Sequence, residues 1–87
     1  ASRLDFPETH LQLAGMALTL RAFPQAEAAF REVVRLDPQR AEAWVMLVRI
    51  AAATRGAGAA REIVGDALVA VPGDAALSAL EEELRAR

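Results

Sequence analysis

His10 is the only imidazole in the chain, and Asp5 and Glu8 stand close to it in sequence. One ring nitrogen and two carboxylates make an oxygen–nitrogen donor set that suits a divalent metal. These three groups lie at the start of the chain, where ends fray. A preformed site is therefore not expected, and His10 reads better as a ring packed between helices. A second stretch, "RGAGAAREI" (55–63), is a glycine-rich turn running into a helical pattern, which is how phosphate-binding loops begin. No strand pattern precedes it, and neither dinucleotide-binding nor P-loop spacing is present, so it reads as a turn. Ser2 and Ser78 have no base near them in sequence, and there is no cysteine. That removes a thiol nucleophile, a disulfide framework and a thiolate metal site. No catalytic residue, metal or cofactor is expected, and the chain does not read as an enzyme.

The charged runs have a plainer role. Glu81–Glu83 reads as a solvated face, with Glu81/Arg85 and Glu83/Arg87 at i,i+4 spacing. Glu27, Arg31 and Arg35 form a similar ladder. Met16 and Met46 are single apolar fillers and do not form a methionine stripe.

The bulk composition narrows the class. Eighty-seven residues allow one small domain, and 54% hydrophobic with 25% charged residues is globular composition. The net charge of −2 lacks the basic balance of a nucleic-acid binder. All ten basic residues are arginine. Arginine without lysine, beside abundant alanine, reads as the mark of a GC-rich, bacterial genome. No apolar run approaches the roughly 20 residues of a membrane span, and no signal-peptide pattern is visible. A soluble domain of the bacterial cytoplasm or periplasm is expected. It begins with Ala rather than Met, so it reads as a piece of a longer protein.

These side chains are positioned by a repeat. Shifting the chain by 34 places sets Leu13 on Leu47, Ala17 on Ala51, Arg21 on Arg55, Ala26 on Ala60 and Pro38 on Pro72. A period of this length is that of a helix–turn–helix unit. Apolar residues at three-four spacing predict helices over about 7–21, 24–36, 41–54 and 59–71. "AFP" (22–24) breaks the first pair, and Pro24 suits a first helical turn. Asp37-Pro38 and Pro72-Gly73 end the units, and "RGAGA" (55–59) is the second turn. Asp74 is a good N-cap for a fifth helix over about 75–86, whose Leu77, Leu80 and Leu84 lie on one stripe. The expected organisation is an N-terminal extension (1–6), units at 7–40 and 41–74, and a capping helix at 75–87.

Trp44, Leu47, Ala60 and Pro72 in the second unit, with Leu13, Ala14, Ala26, Phe30 and Pro38 in the first, resemble the tetratricopeptide repeat family. "AEAAFREVVRLDP" (26–38) is typical of the second helix of such a repeat. The resemblance implies an all-α, right-handed helix–turn–helix solenoid of five helices, with Trp44 buried between helices. His10 stands at the place of Trp44, Val48 where a small residue is usual, Val64 where Phe is usual, and Ala17 and Ala51 where Tyr is usual. The smaller residues imply a looser core or closer helices.

The resemblance also implies a non-catalytic protein–protein interaction module that binds a peptide or helix on its concave face. The implied contact residues are Glu8, Leu11, Gly15, Leu18 and Thr19 from the first unit. Glu42, Val45, Arg49, Ala52 and Ala53 come from the second, with Gly15 opposite Arg49. Some family members clamp a C-terminal carboxylate with Lys and Asn at places held here by Leu11, Gly15, Thr19, Val45, Arg49 and Ala53. Only Arg49 could serve, so an apolar partner segment is expected instead. Partners are thus a protein or peptide, with weak self-association through the apolar ends around Phe6, Phe23 and the helix of residues 7–21 also open. A structural scaffold or homo-oligomerisation role remains an alternative. So does an accessory C-terminal domain, since "DFPETHLQLAGMAL" (5–18) loosely resembles a segment of some bacterial multihaem cytochrome-like proteins.

Overall fold

The computed structural model describes residues 6–86 and consists there of five helices with no strand. They are α1 (Pro7–Thr19), α2 (Phe23–Leu36), α3 (Ala41–Arg55), α4 (Ala57–Ala70) and α5 (Ala75–Arg85). Short connections make consecutive helices antiparallel neighbours. α1 packs on α2, α2 on α3, α3 on α4 and α4 on α5, and α5 also reaches α3. The result is a layered helical solenoid of 42 × 27 × 15 Å.

The local signals act as the sequence predicts at most junctions. Prolines occupy the first turn of both α1 and α2, where a missing N–H costs nothing. The Asp74 carboxylate accepts from the Leu77 amide at 3.0 Å, capping α5. The turn at 55–59 is shorter than expected. Gly56 alone separates α3 from α4, and "AGAA" already belongs to α4. Gly56 has φ +91°, a conformation that opens a one-residue reversal to glycine. The first unit has no glycine there and spreads its turn over Leu20, Arg21 and Ala22, with Arg21 itself at φ +58°.

The core is built from small residues at helix crossings. Ala14, Ala26, Ala43, Ala51, Ala60 and Ala67 are fully buried, among the larger Phe30, Val33, Leu47, Val48, Ile50, Ile63, Val64, Leu77 and Leu84. Val48, at the place where the resemblance leads one to expect a smaller residue, is buried all the same. α3 contributes Ala43, Leu47, Val48, Ile50 and Ala51, whereas α1 contributes Ala14 only. Leu11, Ala17 and Leu18 pack at the core's margin. Leu13 and Leu20 also fall on the apolar period of α1, yet they face solvent.

Trp44 is half-buried rather than enclosed. Its ring packs on the core margin, and its indole N–H donates to the Pro38 carbonyl at 2.7 Å. The bond ties the start of α3 to the inter-unit turn, and it explains why the ring stays at the edge: its N–H needs that exposed carbonyl.

Candidate functional site

The ten residues expected on the concave face separate into three groups. Leu11, Leu18, Val45 and Ala52 are half-buried and spend part of their surface on the core. Glu8 and Glu42 are exposed, but both meet Arg40, at 3.2 Å and 3.5 Å. Arg40 also sets its Nε 3.3 Å from Asp37 Oδ2, without an aligned hydrogen bond. This cluster joins the first turn of α1, the inter-unit turn and the first turn of α3. Its carboxylates are well exposed, so each pair contributes at most about 1 kcal/mol. Sequence spacing could not reveal it, because Glu8 and Arg40 lie 32 positions apart.

The third group is open. Gly15, Thr19, Arg49 and Ala53 are exposed. Thr19 Oγ1 donates to the Gly15 carbonyl at 3.0 Å, so its hydroxyl is engaged within α1. A Cβ placed on Gly15 would meet nothing within 4 Å. Arg49, Ala52 and Ala53 line an open concavity of about 300 Å³ together with Val48, Leu80, Glu83 and Leu84. Its other wall is α5. Gly15, expected opposite Arg49, is not among its lining residues. Leu80, Glu83 and Leu84 were read only as parts of a cap. Their i,i+4 leucines were the available signal, since one edge of that stripe borders α3.

Arg49 makes no ion pair or hydrogen bond among the described residues, and it stands at the rim of this concavity. A guanidinium presents five donors in a planar fork suited to a carboxylate. Apolar Leu80 and the small Ala52 and Ala53 adjoin it, and Glu83 adds the opposite charge. Two signs of charge over small and apolar side chains suit a protein segment better than a polyanion.

The groups that raised chemical possibilities are otherwise occupied. His10 is half-buried and engaged by its surroundings. Among the described residues no three metal-ligating side chains come together; Asp5 lies outside them. Arg31 pairs with Glu27 at 3.0 Å, and Arg35 pairs with Glu32. That guanidinium, hydrogen-bonded to Glu32, holds its carboxyl below the usual carboxylate value, with a smaller contribution from the His10 charge. Glu81 and Arg85 pair at 3.5 Å; Ser2 and the Arg87 partner expected for Glu83 lie outside the described residues. No helix among the described residues is long and apolar enough to cross a membrane.

A search of curated proteins gives no significant match. A family model of the tetratricopeptide repeat matches residues 17–84, most of the chain. The paired helices, the in-phase alanines and prolines and this match agree: the chain belongs to the tetratricopeptide repeat family, whose members typically mediate protein–protein contacts rather than catalysis.

Proposed function

We propose that the chain binds an apolar segment of a partner protein on its concave face, with Arg49 pairing a carboxylate of that segment. The observation that carries this reading is the unpaired, exposed Arg49 at the rim of the α3–α5 concavity, beside small and apolar side chains. Ala52 and Ala53 let a helix or an extended strand approach closely, and Leu80 gives its apolar residues a surface to cover. On this reading Val45, Leu11 and Leu18 extend the apolar contact toward α1, with Gly15 and Thr19 beside them and Glu8 and Glu42 at the far end. A ligand with an acid near one end of an apolar stretch fits that order of side chains.

The test is a titration of ¹⁵N-labelled protein with peptides that pair an apolar stretch with one acidic residue. Saturable shifts are expected at Arg49, Ala52, Ala53 and Leu80. Arg49→Glu should weaken the best peptide by roughly tenfold, the scale of an ion pair turned into a repulsion. Peptides that bind while leaving these amides unmoved would overturn the reading.

A further inference from the structure

Charge along α3 is ordered. Glu42, Val45 and Arg49 fall at i, i+3 and i+7, and Ala52 and Ala53 follow, so all five lie along one stripe of the helix. Glu42 and Arg49 are two turns apart, about 10 Å along the axis. Val45 between them is half-buried, and both charged side chains are exposed.

The two ends of the stripe have opposite charge. At the first end Glu8, Asp37 and Glu42 all turn to Arg40, at 3.2, 3.3 and 3.5 Å. Three carboxylates against one guanidinium leave negative charge over, and the Glu8 and Glu42 side chains are 68% and 71% exposed. At the second end Arg49 makes no ion pair among the described residues. Glu83 stands on the α5 wall, off this stripe.

We propose that the partner segment is a helix with one acid and one base seven positions apart and apolar side chains between them. This rests on the reading of the concave face as the binding surface, and it names the ligand's second charge and its conformation. The acid meets Arg49, the base meets Glu42 and Glu8, and the apolar side chains cover Val45. The spacing selects the helix. Laid along α3, a helix repeats the two-turn step, and its residues seven apart share a face. An extended strand covers about 10 Å in three residues, and side chains three apart point to opposite faces. A second copy of this chain does not supply such a helix. Among the described helices only α3 carries an acid and a base at that spacing. In a second copy that stripe borders the same concavity, walled by α5, and is not a protruding face.

The probes are stapled peptides of one apolar sequence with Glu and Lys seven positions apart, in either order. Circular dichroism first establishes that they are helical. The tighter of the two, titrated into the full ¹⁵N-labelled chain, should shift Glu42, Val45, Arg49 and Ala53 saturably. Replacing its Lys by Gln should weaken binding roughly two- to fivefold. Moving the Lys two positions along, to the far side of the helix, should cost the same. In a chain carrying Glu8→Gln and Glu42→Gln, the Lys and Gln peptides should bind alike, the mark of a coupled pair. Equal binding of the Lys and Gln peptides to the unaltered chain, with shifts still centred on Arg49, overturns this proposal and leaves the concave face as the binding surface. No saturable shift at millimolar peptide, or shifts that miss Arg49, Ala52 and Ala53, overturns both. A doubled mass by light scattering that Arg49→Glu abolishes and added Glu42→Arg restores overturns the proposal in favour of a second copy.

Discussion

α3 and α1 are drawn from the same pattern and hold different ranks in the molecule. α3 touches α2, α4 and α5 and buries five side chains, while α1 rests on α2 and buries one. In a solenoid each unit is stabilised by its neighbours, so a residue's burial depends on what stands beside its helix as much as on its place in the repeat. Leu47 and Leu13 make the sharpest pair. Leu47→Ala removes a fully buried side chain and should cost about 2–5 kcal/mol. Leu13→Ala, at the equivalent but exposed place, should stay within about 0.5 kcal/mol. Urea unfolding with an unchanged m value separates the two. Equal losses would break the comparison, because they would mean that the face of α1 is already covered.

Trp44 and His10 are a second pair at one repeat position. Both are half-buried, and Trp44 fastens a turn through its indole N–H, which donates to the Pro38 carbonyl at 2.7 Å. Were Trp44 enclosed, Trp44→Ala would cost roughly 3–5 kcal/mol. At the core margin a smaller loss is expected. Trp44→Phe, which keeps the ring and deletes the donor, should cost about 1 kcal/mol. The same unfolding experiment reads it. A loss as large for Phe as for Ala would show that the hydrogen bond, and not the packed ring, is what fixes the start of α3.

Much of this was legible in the sequence for physical reasons that can be named. Pro24, Pro38, Pro72 and Asp74 act through their own backbone or side chain, so position alone predicts their effect. The apolar rows of α2 and α4 face neighbours on both sides, and their burial follows their spacing. On α1, Leu11, Ala14 and Leu18 follow the same rule, but Leu13 and Leu20 have the right period and no neighbour among the described helices. Gly56 and Gly58 punctuate the sequence alike, yet only Gly56 takes a positive φ, which spacing cannot reveal. Arg49, Ala52 and Ala53 do share a concavity, although its far wall is the helix read as a cap. The Arg40 cluster was invisible because it is assembled by chain reversal.

The smallest expected effect tests how α1 is held to α2 at the surface. Glu32 on α2 is kept below the ordinary value of 4.5 first by its hydrogen bond to Arg35 and, to a smaller degree, by the charge of His10 on α1. A carboxyl with a depressed value in the folded chain binds its proton later than in the unfolded chain. Its contribution is therefore complete above the unfolded value and fades as pH falls through the folded one. The window lies below the ordinary glutamate value, and the amplitude is small because the pair faces solvent. Arg35→Gln removes the larger cause, so it should flatten this part of the acid limb of a stability-against-pH profile. His10→Ala should remove less, and that smaller part is the charge link between α1 and α2. NMR titration of the Glu32 carboxyl in the three proteins reads both steps directly. A Glu32 midpoint that follows Arg35→Gln but ignores His10→Ala would place this pair wholly on α2. α1 would then depend the more on its half-buried row, on Ala14 and on pairs such as Glu8–Arg40, and its contrast with α3 would be sharper still.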